Sequence, residues 1–399
     1  MKVGIVTIYY KNSNYGANLQ AYALTHYLEY MGCDAEQICC SLYRPELFSA
    51  GFRRLSHIKR LKLIVRKAFY GLTQTKNRLL CECPQYHSCV RRRKKIYNFN
   101  SKRIRHSKVV YYSYEHPMIA KKYDVFISGS DQVWSTQWGA VPIYFLNCVQ
   151  KPKIKMSYAA SLGKEQLSED DIAVYKKYLA DYDAISVREE DAVALLKDAA
   201  PMAAEWVVDP TLLLSREDWD GICGERMVQE PYLFCYFLGM DTEERKLAAA
   251  YAKEHGLKLV TMPFLLEEMF RDRAFRKFEK KFGDMQLYDV SPEQFLSLIR
   301  YADCVFTDSF HGALFSGLYR REYFIFGRGQ MGSRIVSLTK LYETPERYCV
   351  TPAQRTMAYL SAQKPIDYSR DLKLLKEMQQ KSKDFLAVNL KKAERQFSR

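Results

Sequence analysis

Residues 2–32 read KVGIVTIYYKNSNYGANLQAYALTHYLEYMG, and this stretch decides the fold class. Val3 to Ile8 is a short apolar run rich in β-branched residues. A polar turn follows, from Lys11 to Gly16. Leu19, Tyr22, Ala23, Tyr27 and Leu28 then recur at helical spacing up to Gly32. Strand, loop and helix in that order open a βα unit. Starting as a buried strand, this N-terminus lacks the cleavage site of a signal peptide. No apolar run reaches the length of a membrane span, and a cytoplasmic location is expected.

The pattern recurs. Strands are expected at Tyr123–Ser128, Lys155–Ala160, Ala184–Val187 and Trp206–Val208. Each ends in a polar cluster: Gly129-Ser130-Asp131, Ser161-Leu162-Gly163, Arg188-Glu189-Glu190 and Asp209-Pro210. After residue 215 the chain turns polar and restarts. Tyr232–Leu238, Leu257–Met262, Cys304–Thr307 and Tyr323–Phe326 read as strands. Helices are expected at Lys246–His255 and from Ser291, with Ser as N-cap and Pro in the first turn. Two such blocks predict an α/β protein of two Rossmann-like domains, with parallel sheets facing a cleft. The domains are placed at 1–215 and 225–366, and a charged amphipathic helix at 367–399. In parallel sheets chemistry sits beyond the carboxyl ends of the strands, where every polar cluster lies.

The composition is that of a globular protein, with 48% hydrophobic and 27% charged residues. The net charge of +15 suggests an anionic partner, but it is concentrated in one place. Residues 51–110 hold 18 Lys and Arg against the single acid Glu82, a net of +17. The remainder is nearly neutral, at −2. The basic residues lack interleaved stacking aromatics or a known motif, so nucleic acid is not the expected partner. Leu55, Ile58, Leu61, Ile64, Val65, Ala68, Phe69 and Leu72 recur at three- and four-residue spacing within this insertion. Lys59, Arg60, Lys62, Arg66 and Lys67 fill the gaps, which makes a basic amphipathic helix. Its apolar face either packs on the body or meets an anionic membrane surface. The 11 cysteines are scattered. Cys81, Cys83 and Cys89 lack the paired spacing of a zinc site, and free thiols are expected.

Four clusters carry chemical potential. Asn14, Tyr15, Gly16 and Asn18 lead into a helix, where a glycine permits a tight turn and free N–H groups suit an anion or a sugar. Ser130, Asp131 and Gln132 suit hydroxyl recognition and general-base work; alternatively Asp131 caps a following helix. Arg188 presents a rigid fork of donors for carboxylate or phosphate, or pairs with an acid at 189–191. His311, between Ser309 and Gly312, stands at a strand end ahead of a helix and is placed to move a proton. Arg328 and Arg334 follow in a glycine-spaced loop suited to a phosphate. No reaction class follows from these clusters alone.

Their combination does resemble a known family. NYGANLQAYAL at 14–24, FISGSDQVW at 126–134, YAASLG at 158–163, ISVRE at 185–189, VVDPTLLL at 207–214 and TDSFHGALFS at 307–316 occur in that order. From residue 3 to about 340 the chain is similar to the polysaccharide pyruvyl transferases. The resemblance implies a GT-B-like fold. It also implies transfer of the enolpyruvyl-derived unit of phosphoenolpyruvate (PEP) to a sugar of a bacterial surface polysaccharide or its lipid-linked precursor. A cyclic pyruvate ketal forms, phosphate leaves, and neither cofactor nor metal is required. Carried over by motif, Arg188 resembles a PEP-binding arginine, His311 the catalytic histidine and Asp131 an acceptor-side acid. Ser161, Ser309 and Gly312 join the substrate-binding set. Some members have Arg where Ser309 stands, and Arg334 or Arg328 would then supply the missing cation. The other readings are a GT-B nucleotide-sugar glycosyltransferase and a non-enzymatic adaptor of a glycan-assembly complex at the membrane.

Overall fold

The computed structural model describes residues 1–42, 56–58, 60–61, 64–65, 84–137, 139–239, 242–263, 282–327 and 332–397. In the first half, β1 (Lys2–Val6), β2 (Asp34–Gln37), β5 (Val125–Ser128) and β6 (Ile154–Ser157) form a parallel sheet of order β2-β1-β5-β6. The short β3 (Cys40–Ser41) and β4 (Tyr111–Tyr112) pair beside it. β7 (Ser186–Val187) pairs with β8 (Glu205–Trp206). Bridges from Met156 to Ala184 and from Ala160 to Val187 continue the order outward to that pair.

The second half holds β9 (Tyr232–Tyr236), β10 (Lys258–Thr261), β11 (Met285–Gln286), β12 (Cys304–Thr307), β13 (Glu322–Phe326) and β14 (Tyr348–Cys349). All run parallel, in the order β11-β10-β9-β12-β13-β14. This is the dinucleotide-fold order, whose direction reverses between β9 and β12. The first sheet reverses between β1 and β5. The strands are apolar on both faces because helices cover both; all five residues of β9 are buried.

Helix α1 (Tyr15–Tyr30) returns β1 to β2, with Asn14 as N-cap. Its first turn also joins the halves. The Tyr15 hydroxyl donates to the Val290 carbonyl at 2.8 Å, and the ring stacks on Phe295 at 4.9 Å. Helix α2 (Pro84–Arg103), from the basic segment, bridges the same seam. Arg92 is buried and donates to the Pro263 carbonyl, while Arg91 pairs with Asp289 at 3.0 Å. Part of the basic segment therefore serves the junction between the domains. The expectation that its apolar helix packs on the body fails for the described residues: Ile58, Leu61, Ile64 and Val65 are all exposed. Leu55, Ala68, Phe69 and Leu72 lie outside the described residues, as do Cys81 and Cys83. Cys89 is buried in α2.

The helices that follow are α3 (Glu169–Leu179), α4 (Glu190–Leu195), α5 (Arg216–Asp220), α6 (Thr242–Glu254), α7 (Pro292–Arg300), α8 (Phe310–Leu318), α9 (Ser333–Leu341) and α10 (Met357–Ala362). The start read from Ser291-Pro292 is present as a capping box at α7. The final helix, α11 (Lys373–Phe397), leaves the second half and packs back on the first. Ser382 accepts the Val208 N–H at 2.9 Å, Gln379 donates to the Leu212 carbonyl, and Phe385 lies against Tyr158. Among the described residues, no helix is long and apolar enough to cross a membrane.

Candidate active site

The carboxyl ends of the two sheets face each other, and the polar clusters converge there. Asn14–Gly16 follow β1, Ser130 and Asp131 follow β5, and Ser161 follows β6. Arg188 and Glu189 follow β7, Asp209 follows β8, and His311 lies beyond β12.

Asp209 is the hub. It is almost completely buried, yet its carboxylate is well served. Oδ1 accepts the Thr211 N–H and hydroxyl; Oδ2 accepts Ser130 Oγ and Arg188 Nη1, each at 3.1 Å. His311, from the opposite domain, brings Nε2 to 3.6 Å from the same oxygen. Burial alone would raise the Asp209 pKa. His311, Arg188 and the Thr211 N–H outweigh burial and hold the carboxyl well below the usual range.

Arg188 is buried between two acids. Nη1 reaches Asp209, and Nε reaches Glu189 Oε1 at 3.3 Å. Phe310 lies against the guanidinium, 4.3 Å from carbon to ring centroid. Burial disfavours the charge, but Glu189, Asp209 and Asp131 more than compensate and raise its pKa. Thus the pairing of Arg188 with an adjacent acid is present in Glu189, and a second partner, Asp209, comes from a more distant motif. Glu189 Oε1 also accepts the Ser161 hydroxyl at 2.5 Å. Three buried polar atoms in this cluster have no hydrogen-bond partner: Arg188 Nη2, Glu189 Oε2 and His311 Nε2. Buried polar atoms in folded proteins are nearly always paired, so orphans gathered in one place mark room for a ligand or water.

Gly16 meets the cluster in an unexpected way. It lies inside α1 rather than in a turn, and the His311 imidazole rests on it. A Cβ at position 16 would fall 2.0 Å from Nδ1. The glycine is therefore needed for the approach of the two domains. We expect Gly16→Ala to displace the ring and cost ~1–3 kcal/mol in overpacking. Turnover should fall further than stability explains, as checked by thermal unfolding beside an activity assay.

The remaining residues divide. Asn14 caps α1 by accepting the Ala17 N–H, and Tyr15 is committed to the seam. Asn18 is buried in a structural network, donating to the Asn12 and Asn14 carbonyls and accepting from Asn100. Ser309 caps α8 and already takes the Gly312 N–H, at 3.4 Å. No helix follows Asp131. Its backbone is left-handed (φ 70°), Oδ1 accepts only the neighbouring Gln132 N–H among its described bonds, and the residue is half-buried. Gln132 lies against Gly163. Arg334 is half-buried in the first turn of α9, three residues before Ser337, which accepts the Glu190 N–H at 3.1 Å. The middle of α9 therefore abuts the start of α4, two residues beyond Arg188. Arg328 lies outside the described residues. Asp209 and Glu189 were not singled out as site residues in the sequence. Asp209 was nonetheless signalled by its place after a strand in VVDPT.

No curated protein sequence matches the chain. Solved structures do. The UDP-GlcNAc 2-epimerase from Neisseria meningitidis bound to UDP-GlcNAc has a TM-score of 0.52 at 10% identity, over 98% of this chain and 100% of that one. The UDP-GlcNAc 2-epimerase from Methanocaldococcus jannaschii has a TM-score of 0.51 at 10% identity, over 93% and 94%. That from Rickettsia bellii has 0.52 at 9%, over 98% and 96%. At such low identity these likenesses speak for the fold alone, the GT-B arrangement of two parallel-sheet domains. The family model for polysaccharide pyruvyl transferase matches residues 14–328, taking in Gly16, Ser130, Arg188, Asp209 and His311. The chain is a member of the polysaccharide pyruvyl transferase family.

Proposed function

We propose that the protein transfers the enolpyruvyl-derived unit of PEP to two hydroxyls of one sugar, in a bacterial surface polysaccharide or its lipid-linked precursor. The observation that carries this reading is the union of His311 with Asp209 and Arg188 across the domain boundary. Beside it stand the unpartnered Nη2, Oε2 and Nε2 atoms. A histidine steadied by a buried carboxylate is arranged to pass a proton. The reaction needs one at the start. His311 protonates C3 of PEP while a sugar hydroxyl oxygen bonds to C2, and Asp131 takes that hydroxyl's proton. The second hydroxyl then bonds to C2 as the C2–O bond to phosphate breaks. One hydroxyl proton restores the imidazole, and the other leaves with phosphate.

The donor's charge sets a condition. Arg188 stands among three carboxylates, Asp209, Glu189 and Asp131, so it cannot neutralise PEP unaided. Nη2 is the guanidinium nitrogen still open for the PEP carboxylate. A protonated His311 and Arg334, brought close by α9, supply further positive charge; Arg328 is the remaining basic residue of that loop.

The test is an acceptor screen with PEP. Phosphate release should accompany a product heavier by one pyruvate less one water. Arg188→Ala should lower kcat/KM by about 100-fold or more, with a raised KM for PEP. Binding of a UDP-sugar with no PEP turnover on any acceptor would instead favour glycosyl transfer.

A further inference from the structure

The exposed face of the basic segment is unused by the reaction. Its described residues are helical at 57–58, 60–61 and 64–65, and the Arg60 N–H donates to the Ser56 carbonyl at 2.9 Å. Ile58, Leu61 and Val65 are 69%, 63% and 62% exposed, and Ile64 is 38% exposed. The sequence spacing, at 100° per helical residue, predicts that Ile58, Leu61 and Val65 share one narrow arc, with Ile64 at its edge. A run of uncovered Ile, Leu and Val is uncommon on a soluble surface and marks an interaction site. In the sequence, Lys59, Arg60, Lys62, Arg66 and Lys67 alternate with these apolar residues. Apolar residues on one arc with cations flanking them match the boundary between acyl chains and anionic headgroups.

We propose that this helix docks the protein on an anionic lipid bilayer, with Ile58, Leu61 and Val65 entering the headgroup–acyl boundary. Charge complementarity selects this occupant. Residues 51–67 hold seven Lys and Arg and no acid, while the chain outside 51–110 carries −2, so attraction to a negative plane is localised at this stretch. Each basic residue near such a surface contributes roughly fivefold to binding. The body needs no membrane-spanning helix for this contact. The proposal rests on exposure and charge, and stands independently of the donor chemistry.

The experiment is co-sedimentation of the full chain with vesicles of phosphatidylcholine alone and with 30 mol% phosphatidylglycerol, each at low and high salt. The expected result is binding to the anionic vesicles at least tenfold above the neutral ones, weakened by salt. The triple variant Ile58→Glu, Leu61→Glu, Val65→Glu should lose at least tenfold of that binding while its thermal unfolding and its turnover on a soluble acceptor stay as in the parent. Equal binding to both vesicles, no binding, or binding unchanged in the triple variant would each overturn the proposal. Two further measurements bear on other occupants. A dimer in sedimentation velocity that the triple variant abolishes would assign the face to a second copy. Tighter capture by a duplex oligonucleotide than by anionic vesicles would assign the charge to nucleic acid. Either result would also overturn the proposal.

Discussion

His311→Ala is expected to lower pyruvyl transfer by roughly 10²–10⁴-fold while leaving the protein folded. The imidazole is a titratable group of the second domain that enters the cluster built by the first. It is buried, it rests on Gly16, and Nε2 stands 3.6 Å from an Asp209 carboxylate held in its charged form. Removing it leaves the Arg188 and Ser130 contacts to Asp209 intact, so the scaffold around the acid survives. His311→Gln retains much of the volume but cannot deliver a proton, and should be about as inactive as the alanine variant. The measurement is phosphate release from PEP with acceptor present, beside circular dichroism and thermal unfolding. Full turnover in either variant would remove the histidine from the chemistry.

Asp209→Ala should cost the most stability. Four hydrogen bonds end on this carboxylate, and one comes from a buried guanidinium. Deleting one partner of a buried ion pair typically costs ~3–5 kcal/mol, because the other charge stays out of water. Glu189 still faces Arg188, which places the expected loss toward the lower end of that range. Urea unfolding at pH 7 measures it. Turnover should fall as well, since His311 loses the group that orients it. Asp209→Asn retains the shape and one acceptor oxygen, enough for the two Thr211 bonds, and should lose less stability than the alanine variant. The pH dependence separates charge from shape. A carboxyl whose folded pKa is depressed adds stability above its unfolded value, near 4, and loses it as pH falls through the folded value. The parent should therefore be destabilised between pH 5 and pH 3 more steeply than the Asn variant. Equal slopes would show that Asp209 contributes no charge-dependent stability.

The alternation of apolar runs with helical periods was sufficient to reveal two parallel-sheet domains. Strands such as Cys304–Thr307 are bounded by turn residues, so even their limits were legible. The two-residue edge strands β11 and β14 were not. They are held by pairing with β10 and β13, a long-range cause that leaves little local pattern. The strand-end motifs led to His311 and Arg188, but not to the geometry linking them. That Asp209 holds both depends on how β8 lies against β7 and how the domains close. The purpose of Gly16 was legible only in part. A glycine after a strand suggests a turn, and the reason here is a ring from 295 residues away. Tyr15 and Asn18 illustrate the converse. Within a candidate binding motif they resemble ligands, yet their polar groups are used to hold elements together.

The return of α11 to the first domain has a consequence for how the molecule is made. Met378, Phe385, Leu386 and Leu390 are buried on that helix, and Ser382 supplies the acceptor for the Val208 N–H, immediately before Asp209. During synthesis, more than 150 residues emerge after Val208 before this partner exists. The floor beneath Asp209 is thus among the last parts to be finished, although its own strand belongs to the first domain. Completion of the second domain and anchoring of the charged hub become one event. A nascent chain can place the Val208 N–H on its final acceptor only after Ser382 has emerged.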